Sequence, residues 1–372
     1  MRLWDDPAPG EREAGERSWN VVRDAYEERI HVPRKRDWRP IAIAAAAAVV
    51  VAGAVTSPGH AVFGSLRNAV RGEPNAAPAL FSLPTSRSRL LVNSADGAWV
   101  VQKDGSKRLL DGYRDASWSP HGLFLAATRG GELRALEPSG KVHWSIGRVG
   151  RIRNPRLSSD GFRIAYFAGG TLRVVNGDGT GDHLLTRDVR PGPSAWQPNA
   201  NAHALAYVNR AGKIQIGNVD KRNRSATVQT RDAPRQLEWT SDGKWLVAVE
   251  RNAVEVFGRR GPRIGGLDRG AARVVDASIS PNGKSIAFIE TEGTRSTLQL
   301  TGVLGGPTGP VFSGAGTFTK VIWSPDGRWL LLDWSSADQW LFIRRPVKKL
   351  VAVSNIRANF GEEPSLAGWC CP

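Results

Sequence analysis

A short phrase that recurs along the chain constrains its fold more than any other feature. Each copy has a large apolar residue, a tetrapeptide close to Ser-Pro-Asp-Gly and a second apolar stretch, as in IWSPDGRWLLLD from Ile322. The apolar anchors of the six copies are Trp118, Leu157, Trp196, Trp239, Ile279 and Trp323. Their spacings are 39, 39, 43, 40 and 44 residues. A period near 40 residues predicts a repeat architecture, and four short strands per period fit the blades of a β-propeller.

The residues within one period predict strands joined by tight turns. Proline presets φ for an early turn position, Asp or Asn can bond its own backbone, and Gly supplies positive φ. The flanking stretches alternate with a period of two and are rich in β-branched residues, which favours strands over helices. One blade cannot bury both faces of its own sheet, so neighbouring blades must stack, and we expect the anchors to fill the interfaces.

The two ends of the repeat region indicate how the ring closes. The segment from Arg89 to Gly112 contains three strands of a blade without the first. Near the other end, Trp369 lies 46 residues after Trp323, where another anchor is due. We therefore predict an all-β propeller over residues 89–372, with the C-terminal strand completing the first blade. Seven blades are favoured over six, and closure removes exposed strand edges.

An apolar run before the repeats predicts a membrane span. Residues 41–57 begin with IAIAAAAAVVVAGAV, which is close to the minimum length for a spanning helix. Four basic residues precede it, namely Arg34, Lys35, Arg36 and Arg39. By the positive-inside rule, the N-terminus then stays in the cytoplasm and the propeller is exported. A cleaved signal peptide with its site at 52–54 and a buried helix are the alternatives. Residues 58–88 read as an irregular juxtamembrane linker.

The segment before the predicted span, residues 1–40, contains one candidate helix, Glu16–Ile30. An apolar stripe runs along it at spacings of three and four residues, formed by Trp19, Val22, Tyr26 and Ile30. One interpretation is a helix that docks on a cytoplasmic protein partner. The other is a partly disordered tail that touches lipid headgroups.

The charge is concentrated outside that tail. The chain carries a net charge of +16, whereas residues 1–40 hold equal numbers of acidic and basic side chains. A basic surface attracts polyanions, and outside a membrane these are anionic lipid headgroups or acidic wall polymers. Solvated arginine-rich loops are the alternative. The sequence has no aromatic-interleaved nucleic-acid motif, so we expect no nucleic-acid partner.

No pattern in the sequence predicts catalysis, a cofactor or a metal site. The six histidines form no metal-spaced pair, and neither a nucleophile elbow nor a Walker loop occurs. The segment GDGTGD at 177–182 has some features of a calcium loop, but a turn between two strands fits it better. Adjacent Cys370 and Cys371 seldom bridge each other without strain. An intermolecular bridge or a soft metal is conceivable for them, but we expect them simply to form part of the closing strand.

The repeated phrase resembles the repeat of the TolB-like propellers, a WD-repeat-like family. The resemblance is best at Trp118–Ala127 and at Trp323–Leu332 and covers residues 89–372. It implies the propeller fold, while its implications for function are broad, because members include periplasmic scaffolds, sensor domains and non-catalytic propellers of peptidases. The order of short cytoplasmic helix, single span and extracytoplasmic domain is similar to that of membrane-bound anti-sigma factors. The zinc-ligand pattern of many such factors is absent.

These observations lead to a non-enzymatic function in the cell membrane. The first hypothesis is a single-pass protein whose exported propeller binds a ligand or protein, and whose tail contacts a cytoplasmic partner such as a sigma factor. A non-signalling envelope scaffold is the alternative, and an envelope hydrolase is the least favoured. Protein partners are expected on both sides of the membrane.

Overall fold

The chain forms a closed ring of seven four-stranded antiparallel sheets, which is a seven-bladed β-propeller. The computed structural model describes residues 81–85, 88–198, 203–221, 226–345 and 349–371. In each blade the first strand is innermost and the fourth is outermost, and the chain then passes to the innermost strand of the next blade. The prediction of seven blades is confirmed, and the alternative of six is wrong.

The first four blades include the one that joins the two ends of the ring. Blade 1 consists of β28 (Ser365–Cys370), β1 (Arg89–Asn93), β2 (Gly97–Val101) and β3 (Lys107–Asp111). Blade 2 consists of β4 (Arg114–Trp118), β5 (Leu125–Arg129), β6 (Glu132–Leu136) and β7 (Val142–Gly147). Blade 3 consists of β8 (Ile152–Leu157), β9 (Arg163–Ala168), β10 (Thr171–Asn176) and β11 (His183–Thr186). Blade 4 consists of β12 (Val189–Trp196), β13 (Ala204–Asn209), β14 (Ile214–Asn218) and β15 (Ala226–Val228).

The remaining three blades follow in chain order, and one short helix, α1 (Ile356–Phe360), precedes β28. Blade 5 consists of β16 (Gln236–Trp239), β17 (Trp245–Val249), β18 (Ala253–Gly258) and β19 (Arg263–Asp268). Blade 6 consists of β20 (Arg273–Ile279), β21 (Ser285–Glu292), β22 (Arg295–Gly302) and β23 (Gly309–Ala315). Blade 7 consists of β24 (Lys320–Trp323), β25 (Trp329–Trp334), β26 (Gln339–Arg344) and β27 (Leu350–Ser354).

The hydrophobic core lies between the blades. Second strands are buried on both faces, as in β25, where five of the six residues are buried, because a blade stacks on each side. Outermost strands are largely exposed, as in β7 and β27. The described residues contain seven clusters of buried apolar side chains, which equals the number of interfaces between blades. This burial is the main force that holds the ring together.

The ring is closed by β28, which pairs antiparallel with β1. Leu90 lies opposite Trp369, and Arg89 lies opposite Cys370. The helix α1 supports this closure, because the Trp99 indole donates a hydrogen bond to the Phe360 carbonyl at 2.8 Å. The prediction that the C-terminal strand completes the first blade is confirmed.

A small hydrogen-bond network explains why the turn of the repeated phrase needs its particular residues. The Ser324 hydroxyl donates to Asp326 Oδ1 at 2.6 Å and accepts the Trp329 N–H at 2.9 Å. Gly327 adopts φ +67°, a conformation that other residues rarely adopt. Ser158, Thr240 and Ser280 make the same pair of bonds in their blades. The hydroxyl and the carboxylate or amide therefore fix each turn between a first and a second strand.

Most of the chain before the propeller lies outside the residues that the structure describes. These include the predicted helix 16–30, the predicted span 41–57 and the linker as far as residue 80. Where the structure describes the chain, no helix is both long enough and apolar enough to cross a membrane. The linker residues 81–85 form neither helix nor strand, and Leu83 is buried while its N–H donates to the Lys103 carbonyl at 2.8 Å.

Candidate functional site

The candidate site is the central channel, which the seven innermost strands surround. An innermost strand has one neighbour in its own sheet, so its other edge needs hydrogen-bond partners from elsewhere. Polar side chains of the preceding blade supply several of them. Gln236 donates to the Ala277 carbonyl at 2.5 Å and accepts the Ala277 N–H at 3.2 Å. Asp276 accepts the Val321 N–H at 2.9 Å. The channel wall is therefore polar and tied together from blade to blade.

The seven predicted anchors all lie in the innermost strands, at or near the C-terminal end of each strand. Three of the tryptophans bond to the preceding blade through the indole N–H. Trp196 donates to the Arg156 carbonyl at 2.8 Å, and Trp323 donates to the Ser278 carbonyl at 3.0 Å. Trp239 donates to the Ala195 carbonyl at 3.2 Å. The acceptor is always the residue just before an anchor, and these bonds join blade 4 to blade 3, blade 5 to blade 4 and blade 7 to blade 6.

The other four anchors lack this bond. Ile279 has no polar side-chain atom and is buried, and Leu157 is half-buried. Trp118 is also half-buried and lies beneath the Arg89 guanidinium, whose carbon is 5.4 Å from the ring centre. The indole nitrogens of Trp118 and Trp369 are buried without a hydrogen-bond partner among the described residues. Among the described residues, the bond is therefore missing on both sides of the closing blade, between blades 2 and 3, and between blades 5 and 6.

Basic side chains surround one end of the channel. We call this end the upper mouth; it is where the innermost strands begin. Six blades each contribute one basic residue near that end of the strand, namely Arg114, Arg153, Arg190, Arg235, Arg273 and Lys320. The five arginines are exposed, and Lys320 is half-buried. Because the residues come from successive blades, they encircle the upper mouth from blade 2 to blade 7.

Few of these charges are neutralised by carboxylates. Of the six basic residues, only Lys320 forms an ion pair with another described residue, namely Asp276 at 2.7 Å. Arg114 donates to the Ser94 carbonyl at 3.2 Å. Arg235 donates to backbone carbonyls, including that of Glu250 at 3.0 Å.

Like charges lie near one another at this mouth. Desolvation, together with the nearby positive charges of Arg273 and Arg251, lowers the pKa of Arg235. A cation in such surroundings is stabilised by any anion that approaches it. The upper mouth is therefore a region of uncompensated positive charge.

The channel below the mouth holds one further cation and one carboxyl group that favours its neutral form. Arg156 lies on the innermost strand β8 and is solvent-accessible, yet desolvation lowers its pKa. Burial raises the pKa of Glu238 to about 8, although the Ile279 N–H at 3.3 Å favours the charged form. Glu238 is therefore largely protonated at neutral pH and does not offset the positive charge.

A carboxylate–histidine network links blades 3 and 4 on the opposite face. His203 Nε2 lies 2.8 Å from Asp160, and its Nδ1 contacts Asp220. Arg163 donates to Asp220 at 2.9 Å. Desolvation acts to raise the pKa of Asp160, but hydrogen bonds from Ser158 and the Phe162 N–H, together with His203, outweigh it and lower the pKa. These groups satisfy one another and leave no open position for a substrate.

The GDGTGD segment is a turn between β10 and β11. The carboxylate of its last residue, Asp182, is bound by Arg148, Arg173 and the Tyr166 hydroxyl. Two guanidinium groups occupy the oxygens that a calcium ion would need. The interpretation as a turn is confirmed. In the described part of the chain, no group of three or more His, Cys, Asp or Glu side chains is arranged to hold a metal ion.

The two cysteines lie at the end of the closing strand. Cys370 is the last residue of β28, as expected, and its sulfur lies against that of Cys371. Both sulfurs pack against Gly122 in the turn of blade 2, where a Cβ atom would collide with them. The pair thus belongs to the contact between blades 1 and 2.

A cleft of about 370 Å³ lies on the lower face, between the turns of blades 6 and 7. Its wall includes Asn282, Trp323, Asp326 and Arg345, with the Arg345 guanidinium 5.6 Å from the Trp323 ring centre. The polar groups around it have both signs of charge. The cleft is a shallow gap between two copies of the same turn, and it contains no arrangement of acid, base and nucleophile.

Comparisons with known proteins agree with the fold. No family model and no curated protein matches the chain. The β-propeller domain of Cps50 (Swd1) from Myceliophteria thermophila gives a TM-score of 0.52 at 11% identity, over 64% of this chain and 85% of that chain. Hsv2 of Kluyveromyces lactis gives 0.53 at 13%, over 76% and 95%. A chain of the mitotic checkpoint complex gives 0.53 at 16%, over 82% and 87%. These identities show the fold alone, a seven-bladed WD40-like propeller.

The upper mouth is the feature that the sequence analysis missed. In six of the seven blades, a basic residue lies three to six residues before the anchor in the sequence. The offset varies because several innermost strands contain bulges, for example between Arg153 and Arg156 and between Val189 and Ser194. The signal was therefore present in the repeat, but at no constant offset. The predicted docking stripe Trp19, Val22, Tyr26 and Ile30 lies outside the described residues.

Proposed function

We propose that the propeller is a non-catalytic binding domain that recognises a protein partner through its upper mouth. The observation that carries this proposal is the ring of basic side chains from six blades, five of which lack an ion-pair partner among the described residues. A closed ring presents such a surface rigidly, so little conformational entropy is lost on binding. The neighbour in the mitotic checkpoint complex belongs to a protein assembly, which is consistent with this function.

We further propose that the chain is a single-pass membrane protein of the TolB-like kind, with its propeller outside the cytoplasm. The apolar run 41–57 and the basic residues that precede it support this topology. The tail would then connect the exported domain to a cytoplasmic partner such as a sigma factor. If the tail has no protein partner, the non-signalling envelope scaffold becomes the better account.

Site-specific photo-cross-linking in the native cell tests the binding function. A photo-reactive residue replaces Arg190 at the upper mouth, and a matched one replaces Lys284 on the lower face. Both residues are exposed. We expect a discrete protein adduct from position 190 that is absent from position 284. Equal adducts from both positions, or none from either, would contradict recognition by the upper mouth.

A further inference from the structure

The upper mouth gathers basic residues that lack counter-charges. On the lower face, Lys244 pairs with Asp242 at 3.3 Å, while Arg345 packs over the Trp323 ring. On the upper mouth, Arg153, Arg190 and Arg273 have no hydrogen-bond or ion-pair partner for their side chains among the described residues. The upper mouth therefore brings several cations without ion-pair partners together around one opening, and such a cluster attracts an approaching anion.

The positive charge extends into the channel. Arg156 belongs to β8, three residues beyond Arg153 and one residue before the anchor Leu157, so it lies deeper than the mouth residues. The carboxylate of Asp115 acts on it by a charge interaction that favours the charged form, but desolvation outweighs it. A ligand that contacts this side chain must extend past the mouth residues, which an extended chain does more readily than a flat surface such as a membrane.

The chemistry of the mouth suits carboxylates. Five of its six basic residues are arginines, whose planar guanidinium groups bind carboxylates in a two-point geometry. The protonated Glu238 carboxyl inside the channel offers a hydrogen-bond donor and does not repel an acidic ligand.

We propose that the upper mouth and the channel bind an extended acidic polypeptide segment, whose carboxylates contact the ring of arginines and whose end reaches Arg156. This inference rests on the proposed function, because it specifies the chemistry of the protein partner. Phosphate polymers carry the same sign of charge. Because the proposed function is recognition of a protein partner, we assign the site to a peptide and make binding of a phosphate polymer the competing outcome of the test.

Binding of a short fluorescent oligoglutamate to the full-length chain, followed by anisotropy at low and at physiological salt, tests the proposal. The mouth variant is Arg153→Gln/Arg190→Gln/Arg273→Gln, and the matched control is Lys244→Gln/Lys284→Gln/Arg328→Gln on the lower face. Both variants lose the same net charge. We expect the mouth variant to bind about tenfold more weakly, as three exposed ion pairs predict, and the control to bind as the parent does.

Two further measurements separate the alternatives. Arg156→Gln alone should weaken binding by several-fold, and unchanged binding would show that the ligand does not enter the channel. Inorganic polyphosphate should compete poorly. If it binds through the mouth while oligoglutamate does not, the assignment to a peptide is wrong. The Arg190 side chain is exposed and has no hydrogen-bond or ion-pair partner among the described residues, so the single variant Arg190→Gln serves if the triple variant does not fold.

Failure of this inference can be told apart from failure of the proposed function. If cross-linking from position 190 captures a discrete protein but neither oligoglutamate nor the mouth variant shows an effect, the propeller binds a partner by other chemistry. An equal loss of oligoglutamate binding in the mouth and control variants would mean that only net charge matters, and it would also overturn the inference.

Discussion

At the scale of single residues, Glu238 makes the stability of the ring depend on pH. Its pKa rises from 4.5 to about 8 in the folded protein because burial disfavours the carboxylate. The folded state therefore holds a proton that the unfolded state releases above about pH 4.5. The stabilising contribution of this group is complete below that pH and is lost as the pH rises towards 8.

We expect Glu238→Gln to flatten this dependence. The amide keeps the shape and cannot ionise, so the variant should gain about 2–4 kcal/mol relative to the parent between pH 5 and pH 8. Thermal melting across that range measures the effect. Glu292→Gln, at an exposed position, is the control. Parallel pH profiles for the parent and Glu238→Gln would show that the carboxyl is already ionised in the folded ring.

The turn hydroxyls are a second residue-scale feature. Thr240 is fully buried, donates to Asp242 at 2.6 Å and accepts the Trp245 N–H at 3.1 Å. Thr240→Ala leaves that N–H without its partner and should cost about 1–3 kcal/mol in the free energy of unfolding. Thr240→Ser keeps the hydroxyl and should cost much less. Urea denaturation measures both, and equal losses would indicate that the methyl group, not the hydroxyl, carries the effect.

At the scale of strands and blades, the anchor tryptophans combine packing with the bond to the preceding blade. We expect Trp323→Ala to cost about 3–5 kcal/mol, as for other truncations of buried aromatics. Trp323→Phe preserves most of the buried area but loses the bond to the Ser278 carbonyl. It should lower the free energy of unfolding by about 1 kcal/mol, which is well below the loss in the alanine variant. Calorimetric melting separates them. A fully stable alanine variant would show that blade packing does not depend on the anchor.

Ring closure supplies a second prediction at this scale. Removing residues 365–372 deletes β28 and leaves β1 as an unpaired edge along the channel. We expect a lower melting temperature and aggregation, because an exposed edge strand can pair with another chain. Light scattering during a thermal ramp detects both. A truncated chain that melts like the parent and stays monomeric would mean that six blades and a fragment suffice.

The sequence predicted these elements because their signals are local and repeated. The period of the anchors and the turn residues determined the number of blades, the closing strand and the positions of the turns. The bonds between innermost strands were not predictable in this way. Gln236 and Ala277 are 41 residues apart, and their pairing depends on how two blades stack. The upper mouth was missed for a related reason, since bulges displace Arg190 and Arg273 relative to their anchors.

At the scale of the whole molecule, the proposed membrane topology and the predicted docking stripe can be tested together. A photo-reactive residue at Val22 or Tyr26 should capture a cytoplasmic protein, because a short apolar helix is marginal in water without a partner. Its nearly balanced charges disfavour anionic lipid. Reporter fusions after residue 371 should be active only outside the cytoplasm. Adducts to lipid alone would favour the scaffold, and a reporter active only in the cytoplasm would reverse the topology.

The pairing of β28 with β1 also sets an order of events during synthesis. Strands β1 to β27 leave the ribosome before the strand that must sit at the inner edge of blade 1. Until β28 arrives, the first blade lacks its channel strand, and the seventh blade has no finished neighbour to stack against. A chain that ends before β28 therefore carries all six basic residues of the upper mouth but lacks the strand that closes the ring around them.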